Sequence, residues 1–118
     1  MKYLCLIYSE EAAWDTMPKP DADKWLGEYM SYGEGIKQSG HYVGSNRLQP
    51  SHTATTVRVR NGKISATDGP YMETKEQLGG YYLIEGKDLN DAIQVASRCP
   101  GARHGSIEVR PVFENPRG

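Results

Sequence analysis

The order of apolar patterns along this chain predicts an α+β fold, a ferredoxin-like split βαβ arrangement with a β-hairpin inserted between its two halves. Three observations predict it. A strand–helix–strand unit can be read in each half of the chain; Asn61-Gly62 joins two alternating runs between them; and both helical stretches are apolar along one side only.

Taken in order, Lys2 to Tyr8 is apolar on both alternating faces, Tyr3/Cys5/Ile7 and Leu4/Leu6/Tyr8, the pattern of a central strand covered on both sides. Ser9 to Pro20 is polar, contains Pro18 and Pro20, and reads as a loop. From Asp21 to Ser39, Ala22, Trp25, Leu26, Tyr29, Gly33 and Ile36 recur at helical spacing, with Asp21 the expected N-cap and Gly40 the expected stop. Gly33 and Gly35 weaken the last turns, each by up to about 1 kcal/mol relative to Ala. His41-Tyr42-Val43, continuing through Gly44 toward Leu48, is a short strand or an extended loop.

Thr55 to Arg60 alternates cleanly, and Asn61-Gly62 is the favoured two-residue hairpin turn before Lys63 to Thr67. A loop from Asp68 to Gly79 precedes a strand at Gly80 to Ile84, again apolar on both faces. Asp88 is placed to cap a second helix, with Asp91 three residues on, and Pro100-Gly101 ends it. Ser106 to Val112 closes the fold as a strand, with Ile107 and Val109 on one face and Ser106, Glu108 and Arg110 on the other. No repeat, linker or low-complexity tract interrupts a single domain over residues 1–118.

Composition narrows the class. The chain holds 7 Leu, 6 Ile, 6 Val and 1 Phe, few for 118 residues, yet its net charge is only -1, so disorder is not indicated. Eight Tyr and two Trp supply part of the missing bulk. With helices on one side of the sheet, the bare side would carry tyrosines and aliphatics, which predicts a homodimer joined sheet to sheet. No apolar run reaches membrane-spanning length, and the start lacks a secretory pattern, so a cytoplasmic protein without membrane contact is expected. Balanced charge with no Lys/Arg block argues against direct nucleic-acid binding. Cys5 and Cys99 have no CxxC spacing and read as buried free thiols.

The densest chemistry lies between Asp68 and Gly80. Asp68, Glu73, Lys75 and Glu76 fall within nine residues beside glycines and a proline. Carboxylates and an ammonium held close together shift one another's pKa and can divide acid and base roles, so Asp68, Glu73 and Lys75 are the catalytic candidates. The bland alternative is a turn at Asp68-Gly69-Pro70 followed by a solvated surface. Arg110 and Arg47 could clamp a carboxylate or phosphate, which makes a small anionic ligand a candidate partner, with Arg58, Glu108 and Tyr81 beside them on the bare side or its rim. The alternative there is an Arg110–Glu108 or Arg58–Glu108 pair that only solubilises an edge. His41, His52 and His104 lack metal-pair or triad spacing, and no metal or other cofactor is expected.

Asp68-Gly69-Pro70-Tyr71, continued by Glu73-Thr74-Lys75-Glu76-Gln77-Leu78-Gly79-Gly80-Tyr81-Tyr82-Leu83-Ile84-Glu85, resembles the signature of the DGPF group of YCII-related proteins. The similarity runs from Met1-Lys2-Tyr3 to Gly105 through Val112. The resemblance implies a ferredoxin-like protomer within a dimeric α+β barrel and an activity that is poorly defined. Some such proteins are encoded beside, or fused to, extracytoplasmic-function sigma factors, which implies a sigma factor as a second kind of partner. Two departures matter. Tyr71 stands where Phe is common, and Asp21-Ala22-Asp23-Lys24-Trp25 holds no histidine where YCII proteins proper are proposed to use a His–Asp pair, so that mechanism is not carried over. Two functions follow as expectations: a small-molecule site at the Asp68–Gly80 loop with lyase- or isomerase-like proton transfer, or a non-catalytic module that docks on a sigma factor.

Overall fold

The computed structural model describes residues 1–114; residues 115–118, the end of the expected domain, lie outside the described residues. Its elements are β1 (Lys2–Ser9), α1 (Glu11–Asp15), α2 (Lys19–Gln38), β2 (Tyr42–Arg47), β3 (Thr55–Arg60), β4 (Lys63–Asp68), β5 (Gln77–Glu85), α3 (Leu89–Ser97) and β6 (Ser106–Pro111), with short 3-10 turns at Ser51–Thr53 and Pro100–Arg103. Strands β2, β5, β1 and β6 form one antiparallel sheet in that order, and β3 and β4 form a separate hairpin. This is the ferredoxin-like α+β order anticipated from the two strand–helix–strand halves.

β1 lies inside the sheet, with Cys5 opposite Tyr82 of β5 on one side and Val109 of β6 on the other. Its Tyr3/Cys5 face is the core face. Tyr3 and Cys5 are almost fully buried with Ile84 under Tyr32 and Ile36 of α2 and Ala92, Val95 and Ala96 of α3. Tyr32 reconciles its hydroxyl with this burial by donating to the Val95 carbonyl at 2.9 Å, which also ties α2 to α3. Its ring meets Tyr82 edge to face at 5.2 Å. Both cysteines are free and buried here, and desolvation pushes the Cys5 thiol from its ordinary 9.0 up to about 11, so it is an apolar filler and not a nucleophile.

Three boundaries differ from the expectation. The stretch read as a loop contains α1, whose five residues are too few to register as a period, although Ala12 and Ala13 favour helix. α2 starts at Lys19 with Pro18 at its N-cap; Pro20 is tolerated in the first turn, and Asp21 sits in that turn as an acidic residue and not as the cap. β5 begins at Gln77, three residues before the expected start. Gly33 and Gly35 do not end α2, because the buried Ile36 holds the last turn against the core. Termination falls at Gly40, at φ +81°, where the His41 N–H donates to the Ile36 carbonyl (2.9 Å) and the Gly40 N–H to Lys37 (3.1 Å).

The other face of the sheet has Leu6 opposite Tyr81 and Leu4 opposite Leu83, all half-buried. Gly80 lets β2 approach β5; a Cβ there would lie 2.8 Å from the Asn46 carbonyl oxygen. The hairpin turns at Asn61 and Gly62, both at positive φ, as the Asn-Gly pair predicts. It stands clear of the core, and the radius of gyration, 16.4 Å, exceeds the roughly 13.5 Å of a compact chain of this length. No helix of the described residues is long and apolar enough to cross a membrane.

Candidate functional site

The three proposed acid/base residues do not converge. Asp68 ends β4, and Glu73 and Lys75 lie in the loop before β5; all three are exposed, and no hydrogen bond or ion pair among the described residues joins them. Lys75 instead reaches Glu10 at 3.4 Å on the surface. The loop has other supports: Gln77 donates to the Thr74 carbonyl at 2.9 Å, and Glu76 accepts the hydroxyl of Ser106, the first residue of β6, at 2.8 Å. Gly69, at φ +109°, donates to the Ala54 carbonyl at 2.7 Å where the hairpin leaves the fold.

The remaining expected residues separate into three places. Arg58 projects from the hairpin over the Tyr71 ring, 5.8 Å from its centroid. Glu108 and Arg110 share the open face of the sheet, as their alternation requires, with Arg110 Nη2 2.6 Å from Glu108 Oε2. Tyr81 is on that face too, accepting a hydrogen bond from Asn46 Nδ2 at 2.8 Å. Arg47 is different, because it ends β2 two residues after Ser45 and therefore points to the helix side.

On that helix side lies a cavity of about 390 Å³, floored by β5, β1 and β2 and roofed by α1 and the first half of α2. Its size is that of a small-ligand site. Trp14 of α1, Trp25 and Tyr29 of α2, and Tyr82 of β5 form aromatic walls. These walls are braced from behind. Trp25 meets Tyr29 edge to face at 5.6 Å and His104 at 4.6 Å, and Arg103 lies over the same indole while pairing with Glu28. Ser45 stands between floor and edge, its hydroxyl 2.8 Å from that of Tyr42. Burial raises the Tyr29 hydroxyl well above its ordinary value and pushes Tyr82 up to about 12, so both stay protonated at neutral pH.

Three charged side chains face the cavity. Glu11 uses both carboxylate oxygens to accept the Ser51 N–H, at 3.1 and 3.2 Å, and so fixes α1 to the turn after β2. Arg47 spreads its guanidinium over the Trp14 ring at 4.7 Å and has no carboxylate partner among the described residues. Asp15, the last residue of α1, likewise makes no ion pair among them. Of the eight residues singled out from the sequence, Arg47 faces the cavity, and Tyr81 borders it only through its place in β5, its side chain lying on the open face. The aromatic walls were missed; the signal available was that the chain has two tryptophans, one of them alone in a polar stretch.

A separate hydrogen-bonded chain joins α2 to α3. His41 Nδ1 is 2.6 Å from the Ser39 hydroxyl and Nε2 is 3.1 Å from Asp91 Oδ2, so a histidine without metal-pair or triad spacing is a bridge between two helix ends. Among the described residues, no three His, Cys, Asp or Glu side chains gather where they could hold a metal ion.

Comparison with known proteins adds two findings. A family model described as the YCII-related domain matches residues 1–115. An uncharacterized protein of Rhizobium meliloti (strain 1021) is similar over 114 residues at 32% identity, covering 95% of this chain and 92% of that protein.

Proposed function

The chain belongs to the YCII-related domain family, and from that premise we propose that it is a small-molecule-binding protein whose site is the aromatic cavity between the sheet and α1–α2. The observation that carries this reading is the lining itself: an apolar recess with braced walls and one guanidinium that has no carboxylate partner among the described residues. The geometry favours binding over acid/base turnover by the loop, because the carboxylates that face the cavity are Glu11 and Asp15, whereas Asp68 and Glu73 are outside it. The working unit is a homodimer in which a second copy covers Leu4, Leu6, Tyr81 and Leu83 of the open sheet face. Docking on a sigma factor, the alternative function, has no observation of its own on this surface.

The test uses the two tryptophans, since both line the cavity. Small carboxylates, phosphates and aromatic acids are screened by tryptophan emission and thermal shift on wild type and on Ser45→Phe, whose added ring fills the floor. A ligand that binds the native state raises the melting temperature by mass action. Hits in wild type that vanish in a folded Ser45→Phe protein are the expected result. Hits that persist unchanged in the variant, or a screen without hits, would remove the cavity as the site.

A further inference from the structure

The charges around the cavity narrow what it can hold. An arginine stacked on an indole uses the face of its guanidinium and leaves the in-plane N–H fork free, which is the geometry that receives a carboxylate with two parallel hydrogen bonds. Arg47 lies over Trp14, its Cζ 4.7 Å from the ring centroid, and it is an exposed member of the cavity lining. Glu11 of the lining accepts the Ser51 N–H, and neither it nor Asp15 forms an ion pair with Arg47 among the described residues. A ligand anion at the mouth stays partly hydrated, so its desolvation cost is small.

The interior asks for something else. Trp25, Tyr29 and Tyr82 present ring edges and faces, which pair favourably with another aromatic ring in offset or edge-on contact. Asp15, exposed at the end of α1, is the remaining charged group of the lining, and it disfavours a second negative charge on the ligand. Resting on the cavity being the site, we infer that its ligand is a planar aromatic monocarboxylate, ring inward against Trp25, Tyr29 and Tyr82, carboxylate outward on Arg47.

The probes are benzoate, benzamide, phthalate and benzylamine, titrated against the full chain by tryptophan emission. Benzoate binds saturably; benzamide binds at least about ten-fold more weakly, the scale expected for losing a hydrogen bond to a charged group, and phthalate binds more weakly than benzoate through its second negative charge. Arg47→Gln reduces benzoate affinity by about ten- to a hundred-fold while leaving benzamide unchanged, and Arg47→Lys falls between. Benzamide or benzylamine binding as tightly as benzoate, or benzoate indifferent to Arg47→Gln in a variant with wild-type circular dichroism, overturns the ligand class while leaving the cavity as a site. Absence of any response from all four probes overturns the inference, and the cavity reading falls with it only if the wider screen is also empty.

Discussion

Asp91 illustrates how much one carboxylate can organise. It accepts the Lys87 backbone N–H at 3.0 Å in front of α3, and it faces His41 Nε2 at the end of α2. The Lys87 N–H is the first cause that holds its carboxyl below the usual 3.8, with the His41 ring adding to it. A folded acid with a lowered pKa contributes stability that is complete above its ordinary value and is lost as pH falls through the folded one. Thermal unfolding followed by circular dichroism should therefore show an acid limb below about pH 4, and Asp91→Asn should be less stable above that pH with a shallower limb. Superimposable acid limbs would refute the assignment. At this scale the sequence was legible where a residue acts on its neighbours, as Asp88 and Asn61-Gly62 do. It was silent on His41, whose partner lies fifty positions away, and on Trp25, whose support comes from Arg103 and His104 across the fold.

Elements were legible in proportion to their length and to the chemistry of their ends. α3 has the acceptor that its sequence announces, with the Asp91 N–H donating to Asp88 Oδ1 at 2.9 Å. Replacing that side chain in Asp88→Ala should cost about 1 kcal/mol, read from urea midpoints, and Asp88→Ser should recover most of it. Equal losses in both would place the role of Asp88 outside capping. α1 was illegible for the opposite reason, since five residues held by tertiary contacts carry no periodicity of their own. Its position depends on Glu11 holding Ser51 and on Trp14 under Arg47, both contacts with residues more than thirty positions distant. The cavity is roofed by the element that local sequence describes least well.

For the whole molecule, the shortage of large aliphatic residues is matched by the two surfaces that one copy leaves incompletely covered. The open sheet face is one. The hairpin is the other, with Val57, Val59 and Ile64 on one side of it at 61%, 57% and 78% exposure. A lone two-stranded hairpin gains little stability by itself, so the proposed second copy has two reasons to bind. Light scattering coupled to size exclusion should give a dimer for wild type, and Leu6→Lys, at the middle of the open face, should weaken association by about ten-fold or more. A monomer at micromolar wild-type concentration, or a variant that dimerises like wild type, would defeat the sheet-to-sheet arrangement.

The strand order also has a kinetic side. β1 pairs Lys2 with Glu85 and Tyr3 with Pro111, so both of its partners are synthesised long after it. Until then a segment apolar on both faces must wait without neighbours, and closing loops of this span is slow relative to local helix formation. α2 and the hairpin can form early, but the floor of the cavity cannot exist until β5 arrives, nor the full sheet until β6 does. Completion of the sheet is thus deferred until β6 has been made, and β1 is the strand that waits longest for its partners, exposed to aggregation or to capture by a chaperone.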